Sequence, residues 1–123
     1  MQWLAIALGG AIGAVARYGI TLFLSPSSNG QLPIATILAN VLGSFLVGVA
    51  YVLMVERGGF PVPARDMLMI GFFGAFTTFS AFSLETLLLW QDGHVPMALL
   101  YLFLTFVLCL LAVASAVWLT RLL

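Results

Sequence analysis

Four apolar runs, each about as long as a bilayer is thick, dominate the chain and leave little room for any other architecture. They are Trp3–Leu24, Ile34–Val55, Met67–Trp90 and Pro96–Thr120. Crossing ~30 Å of hydrocarbon takes about 20 helical residues, and a helix satisfies its own backbone polar groups in lipid. The connections are short and rich in turn formers: SPSSNGQLP, ERGGFPVPAR and QDGHVP. The first run has no basic flank and no clear cleavage site before Pro26, so it reads as a mature helix rather than a secretory signal. The expected fold is an all-α membrane protein, one four-helix transmembrane domain over residues 1–123, multi-pass in the lipid bilayer.

Composition narrows the function. Of the 123 residues, 63% are hydrophobic and 7% charged, and the mean hydropathy of +1.21 lies far from the soluble range. Four arginines and no lysine balance four acids, so no basic patch exists to recruit nucleic acid. Cys109 is the sole cysteine and His94 the sole histidine. That excludes an intrachain disulfide and a cysteine-based metal cluster. It also leaves no constellation for catalysis, so the chain is not expected to be an enzyme.

Polar residues in lipid must face protein or water, and here they fall in stripes. Thr36, Asn40, Ser44 and Gly48 recur every four residues on the second span; Tyr101, Thr105 and Cys109 do so on the fourth. Gly9, Gly13 and Arg17 share that spacing on the first. The glycines read as a close-packing seam. Arg17 reads as structural, either snorkelling to the interface or pairing with Glu85. Asn40 carries two donors and two acceptors, hard to satisfy in a seam, which favours a functional amide over an interhelical brace.

The third span holds GAFTTFSAFS, residues 74–83, where Gly71 and Gly74 weaken a helix and Thr77, Thr78, Ser80 and Ser83 supply hydroxyls. Two arrangements fit. In one, the helix breaks near Thr77, ~15 Å into the bilayer at 1.5 Å per residue, and turns carbonyls inward to hold a small cation. In the other it is continuous, with hydroxyls bonded to i−4 carbonyls. Phe79 and Phe82 fall three apart on one face. Their electropositive ring edges, beside neutral donors, suit a small anion. Phe72, Phe73 and Phe76 read as packing. Thr36 and Glu85 are expected level with each other near one membrane face, where a gate or relay would sit.

Three segments, GGAIGAVARYG, TILANVLGSFLVG and GFFGAFTTFSAFSLE, resemble in order the signatures of the Fluc (CrcB) family of small microbial fluoride channels, and the likeness covers the whole chain. The resemblance implies passive, fluoride-selective export across the cell (inner) membrane. It further implies an antiparallel dual-topology homodimer with two pores, a third helix broken at mid-membrane, and a structural sodium ion at the dimer centre. Carried over by position, Asn40 is the pore amide, Phe79 and Phe82 are the ring edges, and Tyr101 and Thr105 belong to a hydroxyl track; Ser80, Thr36 and Glu85 are counted with them as fluoride-pore candidates. The backbone carbonyls of Gly74 and Thr77 are the sodium ligands. The implied partners are fluoride, a second copy of the chain and lipid. Ala75, Ala81 and Cys109 depart from the family pattern, and the thiol, a weak donor, shortens the track.

Two other readings differ in their requirements. A small dual-topology proton-coupled exporter resembles its family through a carboxylate in the first span, where this chain has Arg17 and no acid. A non-transporting assembly subunit needs neither Asn40 nor TTFS. Charge and family disagree on topology: Arg57, Arg65 and Arg121 share one side, and the positive-inside rule then places both termini in the cytoplasm. An antiparallel dimer needs equal insertion both ways. Signatures spanning the chain outweigh three arginines, so a cysteine at Ser28 in a Cys109→Ala background is expected to be labelled from both faces.

Overall fold

Each apolar run becomes a helix long and apolar enough to cross a membrane in the computed structural model, which describes residues 1–24 and 30–123. Ser28, like the rest of 25–29, lies outside the described residues. Helix α1 is Gln2–Phe23; α2 is Ile34–Ala50 and continues through a π-helical turn, Tyr51–Glu56. The third span is composite: α3 (Val62–Asp66), a π-helical turn (Met67–Phe72), α4 (Phe73–Phe76) and, after an interruption, α5 (Phe79–Gln91). Helix α6 is Val95–Leu122. The third span starts at Val62 rather than at Met67. Pro63 occupies its first turn, where a missing N–H costs nothing, so a residue that reads as loop opens the helix.

The helix is broken, not continuous, at Thr77–Thr78. Thr77 (φ −82°, ψ 155°) and Thr78 (φ −150°, ψ 115°) are extended, close to the middle of a 30-residue span. Helix α1 grips the half before the break. A Cβ at Gly9 would run into the Met67 carbonyl oxygen and one at Gly13 into that of Phe72, so only glycine lets the two backbones approach this closely. The seam expected from the glycine stripe is therefore present, and its partner is the π-helical turn of the third span.

Buried side chains form two clusters. Ala50, Met54 and Phe73 pack together on one side of the break, and Phe82, Leu89, Ala98 and Tyr101 on the other. Phe76 is also buried and its ring stacks on that of Phe72. Leu4, Leu8, Ile12 and Val15 on α1 are exposed and form an apolar outer surface. Trp3, Trp90 and Trp118 are exposed near helix ends, the depth at which indole rings favour the interface. Beyond α2, Arg57 Nη2 donates to the Thr120 carbonyl (2.6 Å) and Arg121 pairs with Glu56, which ties the end of α6 to the end of the second span.

Candidate functional site

The break exists because three side chains take over the backbone groups that a helix would otherwise pair. In an α-helix the N–H of Thr78 bonds the carbonyl of Gly74, and that of Ala81 the carbonyl of Thr77. Here Thr78 N–H donates to Asn40 Oδ1 (2.7 Å), and Ala81 N–H donates to Thr78 Oγ1 (3.2 Å), which caps α5. The donors of Gly74 and Thr77 have thus been diverted. Ala75, between them, has its carbonyl taken by Arg17 Nε (3.1 Å). Asn40 also returns a bond, Nδ2 donating to the Thr78 carbonyl (3.1 Å). Its amide is satisfied at both ends by one residue, with one N–H left over.

The other hydroxyls of GAFTTFSAFS divide between the two arrangements the sequence allows. Thr77 Oγ1 bonds back to the Phe73 carbonyl (2.8 Å) and Ser83 Oγ to that of Phe79 (2.8 Å), the i−4 pattern. Thr78 caps the second half-helix, and Ser80 Oγ lies 3.2 Å from Thr78 Oγ1. Break and back-bonding coexist in one segment.

A cavity of about 480 Å³ opens beside the break and gathers six of the candidate residues. Asn40, Gly74, Thr77, Phe79, Phe82 and Thr105 line it, and Ser44 and Cys109 extend it along α2 and α6. Phe79 and Phe82 meet as their spacing requires, with ring centroids 5.4 Å apart, but differ in setting: Phe82 is 3% exposed and Phe79 69%. Phe82 in turn meets Tyr101 (5.1 Å) and Phe106 (5.9 Å) in edge-on geometry. Thr105 is buried, and its hydroxyl is the one buried side-chain oxygen without a partner among the described residues.

A second, more polar cavity of about 350 Å³ lies on the far side of the break, lined by Arg17, Thr21, Thr36, Thr78 and Glu85. Thr78 borders both cavities. Glu85 and Thr36 are level, as expected, and bonded: Thr36 Oγ1 donates to Glu85 Oε1 (2.9 Å), while Tyr101 O–H donates to Oε2 (2.6 Å). The carboxylate is held by two hydroxyls, which tempers its repulsion of an anion but occupies the donors of Thr36 and Tyr101. The pairing of Arg17 with Glu85 does not occur. No ion pair joins them among the described residues, because the guanidinium Nε is on Ala75 and the carboxylate is taken by hydroxyls. Ser80 is exposed and lines neither cavity.

Two contributors lie outside the candidate site residues, although Thr78 is among the four hydroxyls that the sequence offers to the break. Thr78 does more at the break than Thr77, and the signal was present: a threonine just before a helix restart is a favoured N-cap. At Gly43 a Cβ would collide with the Thr77 methyl, so this glycine lets α2 seat against the break.

The chain matches the family model described as CrcB-like protein, Camphor Resistance (CrcB), over residues 4–117. A protein named fluoride-specific ion channel FluC from Saccharophagus degradans is 50% identical over 119 residues, 97% of this chain and 89% of that protein. Proteins of the same name from Hahella chejuensis and Magnetococcus marinus are each 44% identical, over 95% and 91% of this chain and 92% and 91% of their own lengths.

Proposed function

This chain belongs to the CrcB family, and we propose that it is a fluoride-selective channel of the cell (inner) membrane, working as an antiparallel, dual-topology homodimer with two pores. It is a multi-pass membrane protein of a channel family, not an enzyme. Fluoride is small and strongly hydrated, so a pore must replace its water with donors, yet a buried lysine would trap it. The observation that carries the proposal is the set of neutral groups gathered at the break. Among the described residues Asn40 keeps one N–H without a partner and Thr105 an unpartnered hydroxyl, and the Phe79 and Phe82 rings line the same cavity. Glu85 and Thr36, which line the second cavity, are assigned to the approach rather than to the narrow part of the path; Tyr101, whose hydroxyl holds Glu85, and Ser80 line neither cavity.

The residues at the break also fit a sodium ion. Diversion of the Thr78 and Ala81 N–H groups leaves the Gly74 and Thr77 carbonyls without their helical donors, and Gly74 faces open space. Carbonyl oxygens suit a hard cation. Two per chain are half a cage, and a twofold axis through the break would double them to four. An antiparallel pair has such an axis in the membrane plane, where it carries mid-bilayer residues onto each other. When bound, the ion would supply fixed positive charge and hold the two breaks together.

Expression in a bacterial strain stripped of its own fluoride exporters should restore growth in fluoride. Growth no better than that of cells lacking the protein, with the chain present in the membrane, would overturn the proposal.

A further inference from the structure

Three successive turns of α1 meet carbonyls of the third span: Gly9 abuts that of Met67, Gly13 that of Phe72, and Arg17 donates to that of Ala75. The change from glycine to arginine along one stripe coincides with the change in the carbonyl's state. Met67 and Phe72 lie within helix, whereas Ala75 is in the last turn before the break, where carbonyls lose their i+4 donors. The N–H groups that would reach the neighbouring carbonyls of Gly74 and Thr77 are held by Asn40 and Thr78. Between Gly74 and Thr77, Arg17 closes the Ala75 carbonyl and leaves those of Gly74 and Thr77 without a donor from Thr78 or Ala81.

We propose that Arg17 is a positioning residue of the break: its Nε–H, by capping the Ala75 carbonyl, fixes the end of α4 so that the Gly74 and Thr77 carbonyls are the pair offered to a cation. The residue acts as a hydrogen-bond donor, and its charge is incidental. This rests on the sodium reading above. It also explains why an arginine is tolerated one residue from a cation ligand. The side chain donates to a carbonyl, and Arg17 also lines the polar cavity that contains Thr21, Thr36 and Glu85. A cation recruited for its charge would instead be expected against Glu85, which is bonded to Thr36 and Tyr101.

Two substitutions separate donor from charge. The glutamine side-chain nitrogen is the same number of bonds from Cα as arginine Nε, so Arg17→Gln keeps a donor in place and removes the charge; Arg17→Met keeps the stem and removes both. Thermal melting of the purified full-length protein in detergent is followed as sodium chloride replaces N-methylglucamine chloride at constant ionic strength. The sodium concentration for half-maximal stabilisation should rise more than tenfold in Arg17→Met and stay within about threefold of wild type in Arg17→Gln. A folded Arg17→Met with the wild-type sodium response overturns the proposal. So does Arg17→Gln shifted as far as Arg17→Met, which would make the charge the active feature; should Arg17→Met not fold, a more than tenfold shift in Arg17→Gln still overturns the proposal. A wild-type protein indifferent to sodium sinks the sodium reading itself, and this proposal with it.

Discussion

Replacing Asn40 by aspartate is the most informative single change, because the structure separates the two jobs of the amide. Thr78 N–H donates to Oδ1 at 2.7 Å, a bond that aspartate retains. The bond from Nδ2 to the Thr78 carbonyl at 3.1 Å is lost, as is the remaining N–H in the cavity. Buried between helices, the introduced carboxyl gains from protonating, and in that form its O–H can still donate to the Thr78 carbonyl. The break then survives and only the cavity-facing donor is gone; a hydrogen bond to an anion is worth about 1.5–3 kcal/mol, or roughly a ten- to hundredfold fall in flux. Once ionised, the same group faces fluoride with like charge. At about 4 Å and an effective dielectric near 20 that adds about 4 kcal/mol, on the order of a further thousandfold. Fluoride efflux from liposomes carrying Asn40→Asp should therefore fall at least tenfold and fall further as pH rises, while size-exclusion chromatography still shows the wild-type assembly. Efflux within threefold of wild type at every pH, in a correctly assembled variant, refutes the role given to this amide.

Other changes test neighbouring claims. Phe82→Ile removes a buried ring that meets Tyr101 and Phe106 edge-on; it should cost about 1–2 kcal/mol of stability yet lower fluoride flux far more than the melting shift explains. Phe79→Ile, at an exposed position of the single chain, should lower flux with little change in melting, and wild-type rates in both variants would place the path elsewhere. Gly13→Ala drives a methyl group into the Phe72 backbone and should destabilise by about 1–3 kcal/mol, read as a lower melting temperature; an unchanged melt would dismiss the close α1 contact. In a Cys109→Ala background, a cysteine at exposed Gln91 should react with impermeant reagent both in intact cells and in inverted vesicles, whereas labelling from one face alone would mean a single orientation.

The sequence made the four spans legible because hydropathy and turn residues need no tertiary information. It also narrowed the third span to two arrangements, since glycines followed by clustered hydroxyls are how a membrane helix can be interrupted. What it could not choose was the arrangement, because that is decided by groups far along the chain. Asn40 on α2 takes one freed N–H and Arg17 on α1 takes one freed carbonyl, contacts separated by 38 and 58 residues. In the sequence alone Arg17 reads as snorkelling or as a partner for Glu85, because charge is all that distinguishes it there. In the fold, hydroxyls from α2 and α6 reach that carboxylate instead. The π-helical turns at Tyr51–Glu56 and Met67–Phe72 left no trace in the apolar periodicity, since a single widened turn shifts a pattern that is apolar nearly all round.

The central claim, that the neutral donors at the break pass fluoride, is tested most directly by ion efflux from liposomes containing the purified protein. A fluoride electrode and a chloride electrode would follow parallel samples, with the proton gradient collapsed by an ionophore. Rapid fluoride release that does not depend on a proton gradient, with chloride retained, is the expected result. Donors spaced to replace a tight fluoride shell cannot relax around the larger ion without cost. Comparable release of both ions, or fluoride release only when a proton gradient is imposed, would contradict it.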